Sequence, residues 1–205
     1  MKNETLVLGL TGSVGMGKST TARMFKDEGI PVWDADQVVA KAYSPGGAAV
    51  DKIKEVCPTA VPEPNLGVDR NALRACLDKD QNLLERLERV VHPIVADDRR
   101  NFLADARARN ERIVVLDVPL LYEVGAEGSV DAVVVVTVSG DVQRQRVLAR
   151  ENMTEERFTR ILSRQVPDQE KLSRADYVIE TSSEKSARAA VKALIEKVSQ
   201  RNACR

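Results

Sequence analysis

The chain has 205 residues, 43% of them apolar, with 31 Lys and Arg against 31 Asp and Glu. That length and apolar share suffice for one α/β domain with insertions, or a core plus a small second domain. The balanced charge gives no overall basic field to draw nucleic acid, and no apolar run is long enough to span a bilayer. No secretory signal is read, and Cys57, Cys76 and Cys204 are odd in number and widely spaced without a C-x-x-C pair, which points to reduced thiols and not to a disulfide frame or a zinc site. A cytoplasmic protein with reduced thiols, and with neither nucleic-acid nor membrane partners, is expected.

Thr5 to Leu10 reads as a buried strand, and Thr20 to Glu28 as the crossover helix, ended by Gly29. Between them stands Gly12-Ser13-Val14-Gly15-Met16-Gly17-Lys18-Ser19, the pattern G-x-x-x-x-G-K-S in the strand-to-helix context that a P-loop requires. Its glycines let successive N–H groups turn inward around an anion, and the following helix adds its own N-terminal N–H groups. The backbone from Ser13 to Thr20 is therefore the candidate ATP site. Lys18 would carry charge to the β- and γ-phosphates, and Ser19 a hydroxyl to Mg²⁺. A dinucleotide loop is the nearest rival, but Thr20 stands where the third glycine of G-x-G-x-x-G belongs.

Ile30 to Trp33 is a second short strand, parallel to the first by the right-handed crossover rule, and it runs into Asp34-Ala35-Asp36. If strand geometry persists, both carboxylates project to one side, toward the phosphate site, as candidates for proton acceptance or Mg²⁺ organisation. The competing role is capping of the next helix, Gln37 to Tyr43. After the break Ser44-Pro45-Gly46-Gly47, no strand pattern appears from Ala48 to Asn110. Helical runs are expected at Ala48–Val56, from an Asp69 cap through Leu77, at Gln81–Val91 and at Pro93–Arg109, with Pro93 at a first helical position and His92 just before it. Such an insertion between strands is a natural place for substrate recognition.

Ile113 to Leu116 followed by Asp117 is a third strand ending in an acid, the pattern of the second Mg²⁺-organising group in P-loop proteins. Val118 to Glu123 leads into a turn, and Asp131 to Val138 is a fourth, fully buried strand. Arg144, Arg146, Arg150, Arg157, Arg160 and Arg164 then lie on two helical runs, Asp141–Glu151 and Thr154–Gln165. Interleaved glutamates fit a paired, solvated surface; the need to cover a transferring phosphate fits a lid with a phosphate-touching arginine. Asp176 to Glu180 is a last strand, and Ser183 to Val198 a closing helix with a frayed tail from Ser199.

These features resemble the dephospho-coenzyme A kinase family over nearly the whole chain. The resemblance rests on Leu10-Thr11-Gly12 leading into the P-loop, Asp34-Ala35-Asp36, Asp69-Arg70 with Leu73, Leu87-Glu88, and His92-Pro93. It continues with Asp117-Val118-Pro119-Leu120-Leu121, Glu123, Gln143, Arg146, Arg150, Gln165 and Ala175-Asp176. It implies transfer of the ATP γ-phosphate to the ribose 3′-hydroxyl of dephospho-coenzyme A. The implied fold is α/β, a three-layer P-loop core with a parallel sheet (1–44, 111–139 and 175–205), a helical coenzyme A-binding domain (45–110) and a helical lid (140–174). The implied base is Asp36, assisted by Asp34, with Lys18 and Arg150 on the phosphates. Arg70, His92 and Leu120 become substrate contacts beside the two aspartates, and Ser19 and Asp117 the Mg²⁺ site, Asp117 acting directly or through water.

Three positions depart from the family pattern. Ser13 stands where glycine is usual, which the loop tolerates if φ is negative there. Cys57-Pro58 stands where Phe-Gly is usual, and Glu180-Thr181 replaces an asparagine beside the adenine. A nucleoside or nucleotide kinase of the same fold remains an alternative. A nucleotide-dependent switch is a further one, although no Asn-Lys-x-Asp guanine signature occurs. The oligomeric state stays open, with a monomer as the working expectation.

Overall fold

The computed structural model describes residues 5–80 and 82–203. Gln81, where a helix was expected to start, and Cys204 lie outside them. The elements are β1 (Leu6–Thr11), α1 (Lys18–Asp27), β2 (Val32–Asp34), α2 (Ala35–Tyr43), α3 (Val50–Val56), α4 (Arg70–Leu77), α5 (Leu83–Ala108), β3 (Ile113–Asp117), β4 (Ala132–Thr137), α6 (Gly140–Leu148), α7 (Glu155–Leu162), α8 (Asp168–Arg174), β5 (Tyr177–Glu180) and α9 (Glu184–Ala203). The sheet order is β2-β3-β1-β4-β5. β1 runs parallel to both β3 and β4, and β4 parallel to β5.

Strands covered on both faces are near-continuously apolar, and β3 and β4 are. Val134 and Val136 of β4 pack on one face with Leu8, Leu10, Phe25 of α1, and Val191 and Leu194 of α9. Val133 and Val135, pointing the other way, pack with Leu121, Tyr122 and the flank of α8 at Leu172. Two helical layers thus enclose the sheet. The register sets Leu10 beside Asp117, so the Gly-rich loop after β1 and the acid ending β3 leave the sheet at one edge.

The chain divides into two compact units, one containing the residues up to Trp33 and from Ala106 onward, the other Asp34–Asp105. The second unit has its own core, in which Ile53, Cys57, Ala60, Val61, Leu73 and Leu83 are buried. Asp69 caps α4, accepting hydrogen bonds from the Asn71 and Ala72 amides at 2.8 and 3.1 Å.

Several expectations are corrected. The two helices expected around His92 are one, α5, with Pro93 inside it. Proline deletes the bond to the carbonyl four residues back. That residue is Arg89, and both it and Pro93 are exposed, so the bond is lost on the solvent side of the helix, while Leu83 and Leu87 bury the opposite face. Strand geometry stops at Asp34, so the strand argument for pairing Asp34 with Asp36 does not hold. Asp34 is the N-cap of α2, accepting from the Gln37 amide at 3.0 Å, and Asp36 sits in the first turn. α6 and α7 end before Arg150 and Arg164, which lie in turns rather than on helices. α8 was not expected, and α9 continues through Ala203 in place of a frayed tail.

Candidate active site

The Gly-rich loop is built by steric necessity at three points. Gly15 and Gly17 have φ of 81° and 89°, left-handed values that side chains resist. A Cβ on Gly12 would sit 2.4 Å from Val136 Cγ2 and 2.8 Å from the Val136 carbonyl oxygen. Ser13, buried, has no positive φ, so its replacement of glycine is accommodated. Gly17 is the N-cap of α1 and supplies no side-chain acceptor. The first N–H groups of α1 thus keep their hydrogen-bonding capacity and their dipole for an anion.

Lys18 opens α1, and its Nζ donates to Asp117 Oδ1 at 2.5 Å. The side chains are 14% and 2% exposed, so the pair is almost out of water. Ser19 and Thr20, next on the helix, are exposed. The structure therefore joins two of the expected residues, one cationic and one acidic, at the mouth of the loop, with hydroxyls beside them.

The loop is also held from behind. The Val14 amide donates to Gln165 Oε1 at 3.1 Å, and Gln143 Nε2 donates to the Val14 carbonyl at 2.7 Å, so one residue's backbone is gripped at both ends. Thr181 Oγ1 donates to the Met16 carbonyl at 2.7 Å and accepts from Arg146 at 3.1 Å, while Arg146 also donates to the Thr181 carbonyl at 2.6 Å. The Met16 side chain is buried, its Sδ accepting from the Val138 amide at 3.3 Å. Gln165 is itself held near. Glu123 Oε1 accepts from the next amide, Val166, at 2.9 Å, and pairs with the fully buried Lys171 at 2.8 Å.

The other expected residues lie as follows. Leu120, in the turn after β3, is 43% exposed. Arg150 is exposed in the turn after α6, whereas Arg144 is paired with Glu155 on the surface, as the interleaved glutamates suggested. In the second unit, Asp36 and His92 are exposed and Asp34 half-buried. The Arg70 guanidinium lies 5.8 Å over the Tyr43 ring. Burial pushes the Tyr43 phenol up in pKa, and Arg70 offsets part of that rise.

A family model described as dephospho-CoA kinase matches residues 6–187. The chain belongs to this family. The dephospho-CoA kinase of Cereibacter sphaeroides is 54% identical over 188 residues, covering 92% of this chain and 93% of its own. A crystal structure from Thermus thermophilus matches with a TM-score of 0.79 at 32% identity, covering 95% of this chain and 98% of its own. Shikimate kinase from Bacteroides thetaiotaomicron, at 15% identity, a TM-score of 0.51 and coverage of 95% and 98%, shares the fold. The α/β architecture is thus that of the P-loop kinases.

Within this dephospho-CoA kinase fold, sequence reasoning missed the bracing groups. Gln143 and Gln165 entered only through resemblance, Arg146 as one of the lid arginines and not as a brace, and Thr181 only as a departure. No local signal marked them: Gln143 stands between Val142 and Arg144 and Thr181 between Glu180 and Ser182, yet both are buried, where an amide or hydroxyl needs a partner.

Proposed function

We propose that this chain transfers the γ-phosphoryl group of ATP to the ribose 3′-hydroxyl of dephospho-coenzyme A, the last step of coenzyme A synthesis. The observation that carries the reading is the Gly12–Ser19 loop with Lys18 on Asp117, in a chain of the dephospho-CoA kinase family. Phosphoryl transfer needs little covalent help and depends on positioning and charge neutralisation. In this reading the amides from Ser13 to Thr20 cradle the triphosphate; that of Val14, which donates to Gln165, positions the loop. Lys18 neutralises the β- and γ-oxygens, and Arg150 covers the transferring group. Asp36 takes the hydroxyl proton, with the cap Asp34 holding the start of α2 in place. Arg70, His92 and Leu120 contact the acceptor. The stretch 45–110 holds the coenzyme A moiety, 140–174 acts as lid, and 1–44, 111–139 and 175–205 form the nucleotide core.

Mg²⁺ fits the donors present. Among the described residues no three His, Cys, Asp or Glu side chains gather as a metal cage. Mg²⁺ in kinases takes only one or two protein oxygens, the rest coming from phosphates and water. The Ser19 hydroxyl and the Asp117 carboxylate are such oxygens, and the ion would spread charge from the phosphates.

No helix among the described residues is long and apolar enough to cross a membrane. With that and the unpaired thiols, we place the enzyme in the cytoplasm, acting on a small-molecule substrate without nucleic acid or membrane, as a monomer.

The test is kcat/KM for dephospho-coenzyme A, AMP and adenosine under one condition, with the phosphate position read by NMR. A long acceptor uses remote contacts to position its hydroxyl, so truncated ones lose kcat as well as affinity. Dephospho-coenzyme A should lead by orders of magnitude, with phosphate on the 3′ oxygen. Equal use of AMP, or phosphate on the 5′ side, would refute the reading.

A further inference from the structure

The second unit holds a pair of thiols that the transfer reaction does not use. Cys57 ends α3 and is buried in the unit's core, 4% exposed. Cys76, in the last turn of α4, is partly exposed. Thr59 stands between them, its Oγ1 lying 2.9 Å from Cys76 Sγ and 3.6 Å from Cys57 Sγ. Both sulfurs thus lie against one hydroxyl. The backbone brings them together independently: the single turn Pro58–Ala60 packs against α4, and the Asp69 amide at the α4 cap donates to the Ala60 carbonyl at 2.8 Å.

We propose that Cys57 and Cys76 form a dithiol modification site, in which a hydroperoxide oxidises Cys76 and Cys57 resolves it to an intramolecular disulfide. Their asymmetry fits the two parts. The neighbouring Cys57 thiol and Thr59 hydroxyl, with the nearby Lys79 ammonium, lower the pKa of Cys76, while burial raises that of Cys57. The thiolate is the nucleophile, so the exposed sulfur reacts first. Cys76 thiolate attacks one peroxide oxygen; the O–O bond breaks, an alcohol or water leaves, and Cys76 becomes a sulfenic acid. The Cys57 sulfur then attacks the sulfenic sulfur. The S–S bond forms, the S–O bond breaks, and the departing hydroxide takes the Cys57 proton and leaves as water. Two electrons pass from the two thiols to the peroxide.

The experiment uses the full chain with Cys204→Ser, leaving these two cysteines, treated with hydrogen peroxide. Intact mass should fall by about two mass units, the two thiol hydrogens, and return with dithiothreitol. Digestion should link the Cys57 peptide to the Cys76 peptide within one molecule. Cys57→Ser should stop at a sulfenic acid on Cys76 that dimedone traps, and Cys76→Ser should react at least about tenfold more slowly, its thiol being buried. Thr59→Val should slow cross-linking severalfold, with Thr59→Ser restoring it. Because the cross-link map of the Cys204→Ser chain needs no change at Cys57 or Cys76, a misfolded Cys57→Ser leaves the test intact. Sulfinic acid on Cys76 without cross-linking, a disulfide between two molecules, or faster reaction at Cys57 would overturn the proposal. None of these readouts depends on kinase activity.

Discussion

Replacing Lys18 by Ala should have two separable consequences, because Lys18 pairs with Asp117 and, in the proposed reaction, contacts phosphate. As a phosphate contact its loss should abolish most transfer. As the partner of Asp117 its loss removes the cation from a carboxylate that is 2% exposed. Removing one member of a buried pair costs about 3 kcal/mol. For a chain of this length each kcal/mol lowers the melting temperature by roughly 2–4 °C, so a fall of about 6–12 °C is expected. Adding Asp117→Asn removes the carboxylate charge and should regain at least half of that fall, with the two changes strongly non-additive. Activity should not return, because both the proposed phosphate cation and the proposed metal ligand are gone. The assays are calorimetry on wild type, both single variants and the double variant, beside steady-state turnover with ATP and dephospho-coenzyme A. A Lys18→Ala protein that melts within about 1 °C of wild type would refute the argument from the buried pair, and near-wild-type turnover would refute the phosphate role.

Asp36→Asn should cut kcat by about 10²–10⁴ with ATP affinity far less changed, as expected for loss of a general base. Asp34→Asn is a clean control because asparagine caps helices as well as aspartate does; crippling loss there with a mild Asp36→Asn would reverse the two roles. Arg150→Ala should lower kcat more than it raises KM, and Arg150→Lys should rescue only in part, since an ammonium lacks the planar fork; full rescue by lysine would leave only general electrostatics. Gln165→Ala should speed hydrogen exchange at the Val14 amide and lower kcat, while Gln165→Glu, which keeps the acceptor, should preserve that protection. Gln143→Glu loses the donor and should not, so equal behaviour of the two glutamate variants would count against the grip on Val14.

The phosphate loop was legible because glycine spacing and a flanking apolar run are local properties. β3 falls on the expected residues, Ile113 to Asp117, for the same reason, being a bounded run of β-branched and aliphatic side chains. The cap at Asp69 was likewise readable from one residue and its successors. What could not be read depends on partners distant in the chain. A proline usually starts or stops a helix; Pro93 does neither because the apolar stripe of α5 is anchored by packing that no local window contains. α8 escaped notice because its buried residue is Lys171, and a lysine carries no sign of burial until Glu123 stands opposite it. The roles of Gln143 and Gln165 depend on a loop more than a hundred residues earlier.

The hydroxyl of Thr181 holds the carbonyl of Met16, a contact spanning 165 positions of the chain. Met16 leaves the ribosome long before Thr181. Closing so long a loop comes late in folding, after nearer contacts have formed. Until Thr181 has emerged, the nascent chain therefore carries its phosphate-binding sequence without the brace that shapes it. That brace is in place only once β5 has docked beside β4, so a fragment ending before Thr181 should hold ATP more weakly than the full chain.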